Sequence, residues 1–284
     1  MAARPRTLPA AVAPVLVGTS LAIRYGTFHP LAFIAALLGA MAIQIGTNLS
    51  NDYSDARRGA DTDERIGPVR VTAGGLVPPR QVLIATYLTF GAAVLCGVYL
   101  IAIAGWALLA GGAASILAGV LYTGGPRPYG YEGLGEVFVF LFFGIVAVSG
   151  SYFVQRRALP WEAFVLAVPV GLLIAGILIV NNVRDIDTDR RAGKRTLAVR
   201  LGRERTRVLF AAIVAGAFLT SWVPWFAGAL SPWLFLTAAA APLALGIVTT
   251  VRMHADGPSL NSALARSAKL ALLFCLLLCA GILA

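Results

Sequence analysis

A chain of 284 residues that is 58% hydrophobic and only 13% charged, with a mean hydropathy of +0.81, is not an ordinary soluble domain. Its net charge of +10 sits in short segments between long apolar runs, which argues against nucleic acid as the partner. The three cysteines, Cys96, Cys275 and Cys279, fall inside apolar runs and read as small packing residues, not as a disulfide or metal framework.

Taken in chain order, nine apolar stretches approach the roughly 17–25 residues that a helix needs to cross a bilayer. They lie near 9–26, 30–50, 81–102, 105–123, 134–154, 161–182, 207–227, 232–251 and 263–283. The first follows Arg4 and Arg6 in the manner of a secretory signal, but the further spans behind it favour a retained first helix. Only Ala104-Gly105 divides the third stretch from the fourth. Pro14, Pro169, Pro224 and Pro242 lie in or near spans, where neighbouring helices can satisfy the freed carbonyls. The expected fold is all-α: a polytopic membrane protein of about nine transmembrane helices forming one domain over residues 1–284.

With the N-terminus in the cytoplasm, 20 of the 23 lysines and arginines fall on that side, leaving only Arg24, Arg156 and Arg157 outside. The positive-inside rule therefore predicts a multi-pass protein of the cell membrane with a cytoplasmic N-terminus. The same partition puts every acidic residue except Glu162 on the cytoplasmic side.

Seven of the thirteen acidic residues are gathered at two matched places. The first, at the end of the second apolar stretch, reads Asn48-Leu-Ser-Asn51-Asp52-Tyr53-Ser54-Asp55, followed by Asp61 and Asp63. The second, ending the sixth, reads Asn181-Asn182-Val183-Arg184-Asp185-Ile-Asp187-Thr-Asp189. Both open the longest charged loops, about 52–80 and 183–206, and both contain Asn-x-x-x-Asp, which suggests a weak internal duplication. Residues four apart share a helix face, so Asn51 with Asp55, and Asn181 with Asp185 and Asp189, are expected to project together, with Asp52 and Asp187 pointing elsewhere. Gly59 allows the chain to turn back and bring Asp61 to the first cluster.

Carboxylates at helix C-termini oppose the macrodipole by roughly 0.3–1 kcal/mol each, so a cation must compensate. Nearby arginines could do so alone. The sharper expectation is two or more Mg²⁺ ions, which take one or two carboxylates together with water and substrate phosphate oxygens. Asn48, Asn51, Asn181 and Asn182 would add neutral oxygen ligands or donors to phosphate, and Arg65, Arg70, Lys194 and Arg195 would neutralise a diphosphate. A third polar patch runs from Tyr122 through Arg127, Tyr129 and Tyr131 to Glu136. Tyr122 and Arg127 are its substrate-binding candidates, although interfacial anchoring is the commoner use of such tyrosines. His29 and His254 are too few and too dispersed for a histidine metal site.

These paired clusters resemble the UbiA superfamily of intramembrane prenyltransferases. The resemblance is strongest to its members that act on 1,4-dihydroxy-2-naphthoate in menaquinone biosynthesis. Arg6-Thr-Leu-Pro, Pro14-Val-Leu-Val-Gly-Thr19, the segment from Asp61 through Arg65-Ile-Gly-Pro-Val-Arg70, and Gly193-Lys-Arg-Thr-Leu-Ala198 carry it further. Many superfamily members place the later aspartate four residues after the earlier one; here position 59 is glycine and the next aspartate is 61, which resembles the naphthoate subgroup.

The resemblance implies a bundle with two functional cytoplasmic loops and Mg²⁺ held by Asp55, Asp61, Asp185 and Asp189, with Arg70 and Lys194 assisting in catalysis. A long polyprenyl diphosphate would alkylate 1,4-dihydroxy-2-naphthoate with decarboxylation, giving demethylmenaquinone, CO₂ and diphosphate. Membrane lipid would surround the protein. The competing expectations are another aromatic acceptor, such as 4-hydroxybenzoate, and a cation-coupled transporter, whose acids would lie near the bilayer midplane.

Overall fold

The computed structural model describes residues 4–59 and 70–284; Asp61, Asp63 and Arg65 lie outside the described residues. The described chain is helical, with α1 (Pro9–Arg24), α2 (Pro30–Arg57), α3 (Pro79–Ala104), α4 (Ala107–Leu121), α5 (Gly135–Arg156), α6 (Trp161–Arg191), α7 (Arg203–Phe226), α8 (Pro232–Met253) and α9 (Gly257–Leu283). Proline occupies the first turn of α1, α2, α3, α8 and α9. There its missing N–H costs nothing and its fixed φ suits a helix start. Gly105, at φ +104°, ends α3 and lets the chain reverse into α4 within two residues, so the least distinct division in the sequence is a real one.

Seven of these helices are long and apolar enough to cross a membrane; α1 and α4, with 16 and 15 residues, are shorter. At 1.5 Å per residue the two shorter helices span only about 24 and 22 Å. The nine expected apolar segments are thus all helical, but not all of full crossing length. The protein is a multi-pass membrane protein.

α6 is the centre of the bundle. Of its most apolar stretch 67% is buried inside the protein, against 17% for α3. It packs against α1, α5, α7 and α9, and its Leu166 and Ile179 join Phe210 of α7, Ile247 of α8, and Phe274 and Leu278 of α9 in the core. α2, α3 and α4 pack on one another to one side. Leu88, Leu95, Trp106, Leu219, Phe226 and Leu245 point outward, as a surface solvated by acyl chains permits.

In lipid there is little hydrophobic gain from joining helices, so small residues that permit close approach carry the packing. α5 crosses α6 at Gly144 and Gly171, beside a π-helical segment over Phe140–Val146. A Cβ at Gly171 would lie 2.8 Å from the Phe140 carbonyl oxygen. Gly171→Leu is therefore expected to separate the two helices and lower stability by about 1–3 kcal/mol, read as a lower melting temperature in detergent. Wild-type melting would show that the crossing has room to give.

The charged loops are shorter than their sequence suggested. α2 continues to Arg57, beyond its apolar run, and α6 continues through both its asparagines and all three aspartates to Arg191. A further short helix, Leu197–Leu201, is capped by Thr196, whose Oγ1 accepts from the Val199 N–H at 3.4 Å. Helix extension past the apolar boundary has a consequence: it fixes the faces on which the acids are displayed.

Candidate active site

The ends of α2 and α6 each carry a carboxylate–cation lobe. On α2, Asp55 is buried, its Oδ2 accepting from Arg70 Nη2 at 2.8 Å and its Oδ1 from the Tyr131 hydroxyl at 2.5 Å. On α6, Asp185 is buried and held in a bidentate pair by Arg184, with Nε to Oδ1 at 2.8 Å and Nη2 to Oδ2 at 2.6 Å. One turn on, Asp189 Oδ1 lies 3.7 Å from Lys194 Nζ. The macrodipole cost at these helix ends is thus offset by cations beside Asp55, Asp185 and Asp189.

Tyr131 joins the two lobes. Its hydroxyl reaches Asp55, its ring lies beneath Lys194 with Nζ 4.8 Å from the centroid, and its carbonyl accepts from the Arg195 N–H at 2.7 Å. The segment between α4 and α5 therefore stitches the α2 site to the α6 site. Gly130 permits this by seating on Tyr122, where a Cβ would lie 3.0 Å from the ring. The Tyr129 ring stacks on Phe138 at 4.0 Å, and its hydroxyl donates to the Ala118 carbonyl at 2.8 Å. Burial pushes the Tyr129 phenol up, so it remains a neutral donor there.

The asparagines are divided. Asn51 is buried and its Oδ1 accepts from Thr123 Oγ1 at 2.9 Å, tying α2 to the third patch. Asn181 Oδ1 accepts from Arg184 Nη2 at 2.9 Å and so supports the Asp185 pair. Asn182 turns to the opposite neighbour, donating from Nδ2 to Glu136 Oε1 at 2.8 Å. Asn48 sits deeper, donating to Thr7 Oγ1 at 3.1 Å beside Gln44, which makes the same contact at 3.0 Å. Tyr122 is half-buried next to the bridge, with its ring 5.4 Å from that of Tyr129. Arg127 is exposed on the neighbouring turn and is not drawn into either lobe.

Two expectations about orientation separate. Asp187 does point away: it is exposed and pairs with Arg203 at 2.8 Å. Asp52 does not. It is buried, accepting from the Val71 and Thr72 N–H groups at 3.1 and 2.8 Å, and so anchors the chain that carries Arg70. A carboxylate adjacent to the expected ligand face thus acts as a backbone clamp, because only an acceptor can satisfy two buried N–H groups there.

Arg184 is the principal residue that spacing alone did not select. It is 3% exposed and also donates from Nη1 to Asn261 Oδ1 of α9 at 2.7 Å. Its position inside the second motif, one residue before Asp185, was the available signal. Tyr131 and Glu136 were visible only as members of a polar patch.

The donors gathered here are carboxylate and amide oxygens, the hard ligands that Mg²⁺ takes, with neither histidine nor thiolate among them. Among the described residues no three His, Cys, Asp or Glu side chains cluster tightly enough to hold an ion. Asp55 on one lobe and Asp185 and Asp189 on the other are the described carboxylates that could serve as ligands. Asp61 and Arg65, expected to complete the first lobe, lie outside the described residues.

Residues 11–273 match the UbiA prenyltransferase family. A protein of Mycobacterium tuberculosis named 1,4-dihydroxy-2-naphthoate octaprenyltransferase is 44% identical, over 99% of this chain and 95% of its own length. A protein of the same name from Escherichia coli is 40% identical, over 98% of this chain and 92% of its own. Among solved structures, a UbiA homologue from Archaeoglobus fulgidus bound to DMAPP and Mg²⁺ superposes with a TM-score of 0.67 at 16% identity, covering 99% of this chain and 97% of that one.

Proposed function

This chain belongs to the UbiA prenyltransferase family, and from that premise we propose that it transfers a long polyprenyl group from its diphosphate to 1,4-dihydroxy-2-naphthoate with loss of CO₂. The observation that best supports this is the pairing of two carboxylate–cation lobes, on α2 and α6, across Tyr131. The whole chain, 1–284, acts as one unit, with its N-terminus and active site at the cytoplasmic surface of the cell membrane. There the diphosphate lies at headgroup level while its isoprenoid tail stays in an apolar setting.

Asp55, Asp61, Asp185 and Asp189 would hold Mg²⁺, which would supply Lewis-acid stabilisation of the departing diphosphate; the carboxylate and amide oxygens gathered here are the hard donors that such an ion takes. Arg70 and Lys194, and with them Arg65, neutralise phosphate oxygens, and the present pairs of Arg70 with Asp55 and of Lys194 with Asp189 keep those two at the site before substrate arrives. Asn51 and Asn181 hold the walls of the site through Thr123 and Arg184.

The donor C–O bond breaks with its electron pair leaving on diphosphate, and ring carbon C2 supplies the pair for the new C–C bond. The C2–carboxylate bond then breaks, CO₂ leaves and its pair restores the aromatic ring. No electrons are lost in this sequence. The immediate product is therefore the hydroquinone, demethylmenaquinol, and demethylmenaquinone follows on two-electron oxidation.

Purified protein given polyprenyl diphosphate and 1,4-dihydroxy-2-naphthoate should release CO₂ and diphosphate with Mg²⁺ present. Turnover should fall to background with chelator and return when Mg²⁺ is restored. Turnover of 4-hydroxybenzoate in place of the naphthoate would overturn the acceptor. Cation transport in proteoliposomes without diphosphate release would overturn the class.

A further inference from the structure

Glu136, at the start of α5, is 6% exposed. Its Oε1 accepts from Asn182 Nδ2 at 2.8 Å, while Oε2 is shut off from solvent and has no hydrogen-bond partner. Leaving a buried acceptor unmet is destabilising, so a residue that only served packing would be better replaced by an apolar one. The carboxylate adjoins the active site. Asn182 follows Asn181, which supports the Asp185 pair, and Gly135, next to Glu136, lies against Tyr122, where a Cβ would be 3.3 Å from the ring.

The chemistry of this unpaired oxygen restricts what it can receive. A diphosphate offers only acceptor oxygens and negative charge, and would be repelled. An isoprenoid tail offers neither donor nor cation. A metal ion would need further ligands, and the Asn182 amide beside the carboxylate turns its N–H₂ to Glu136, not its oxygen. The hydroxyls of a dihydroxylated aromatic acceptor are the hydrogen-bond donors that remain. We propose that Glu136, steadied by Asn182, binds the aromatic acceptor by accepting a hydrogen bond from one of its ring hydroxyls, and so selects hydroxylated acceptors over deoxy analogues.

This assignment rests on the proposed prenyl transfer to a hydroxynaphthoate and names a residue that orients its acceptor. The hydrogen bond leaves the hydroxyl proton on its oxygen throughout. It adds electron density to the ring as C2 forms its bond to the prenyl carbon, and the departing diphosphate and CO₂ are accounted for as above. The gain grows as positive charge develops on the ring, so both acceptor affinity and turnover depend on the contact.

The test is equilibrium binding and turnover by full-length protein in detergent, comparing wild type with Glu136→Gln and Glu136→Ala. Size-exclusion profiles and melting temperatures would show that the variants are folded. Wild type should bind 1,4-dihydroxy-2-naphthoate more tightly than 2-naphthoate, which lacks both hydroxyls. Glu136→Ala should weaken binding of the dihydroxy acid by about tenfold or more and leave that of 2-naphthoate unchanged. The KM for polyprenyl diphosphate and the Mg²⁺ requirement should stay at wild-type values, and Glu136→Gln, which keeps an acceptor oxygen and the Asn182 contact, should fall between.

Equal weakening of both acids would overturn the hydroxyl contact, as would a shift in KM confined to the diphosphate. If Glu136→Ala does not fold, an undiminished preference for the dihydroxy acid in Glu136→Gln, with acceptor affinity and turnover at wild-type values, overturns it alone. Wild type that turns over no naphthoate defeats the proposed function itself, and is thereby distinguished from failure of the Glu136 assignment.

Discussion

Asp185→Asn and Asp55→Asn are each expected to lose about 10²–10³-fold in turnover, the scale seen when one element of preorganised charge stabilisation is removed from an active site. The two aspartates come from helices far apart in sequence and stand on opposite lobes of one site, so neither can substitute for the other. Asparagine keeps an acceptor oxygen for Arg184 or Tyr131 but carries no charge for a cation. The variants should therefore stay folded and need more Mg²⁺. Asp185→Ala is a different experiment: it leaves Arg184, 3% exposed, with only the Asn181 and Asn261 oxygens. An uncompensated buried charge costs up to about 3–5 kcal/mol, so that variant should also melt earlier. Initial rates across a Mg²⁺ titration, with melting curves alongside, check both effects. Near-wild-type turnover in either asparagine variant would remove that residue from the metal site.

Tyr131→Ala is expected to reduce turnover by about 10²-fold, because it removes at once a charge-assisted hydrogen bond to Asp55 and the ring beneath Lys194. Tyr131→Phe retains the ring and should lose only about tenfold, the share of the hydroxyl. The order of the two variants matters more than either magnitude. If phenylalanine is as damaging as alanine, the contact with Lys194 contributes nothing. If both turn over like wild type, the two lobes do not depend on this bridge. Steady-state kinetics in diphosphate concentration would reveal displacement of Lys194 as a raised KM.

The ion-pair explanation of the acidic clusters and the metal explanation are compatible in this geometry. Arg70, Arg184 and Lys194 neutralise Asp55, Asp185 and Asp189 within the protein, and the same cations are suited to phosphate oxygens. A site for a highly charged substrate has to be stable before that substrate arrives. Pairing Asp55, Asp185 and Asp189 each with a cation achieves this at those three positions.

Much of the site was legible in the residues because helical periodicity is local. Asn51 with Asp55, and Asp185 with Asp189, lie one turn apart, and the helices run through them as the spacing required. Asp187 faced away for the same reason. Asp52 was misjudged because its role depends on Val71 and Thr72, across a segment that follows the helix and has no periodic relation to it. The direction of Arg127 was not legible, since charge in a loop carries no information about direction; the side chain is exposed.

By itself, the sequence determined that the chain is a bundle of apolar helices, and that seven of its thirteen acids follow two of its apolar runs. It also determined, through the pattern of its motifs, the family to which the chain belongs. These properties follow from composition and from residues within a turn or two of one another. Only the tertiary structure decided that α6 is the central helix, that Arg184 grips Asp185, and that Tyr131 spans the two lobes while Glu136 buries one oxygen unpaired. Those facts are contacts between segments distant in sequence or choices among side-chain directions. They are settled by which helices can approach closely at glycines and by the need to satisfy each buried polar group.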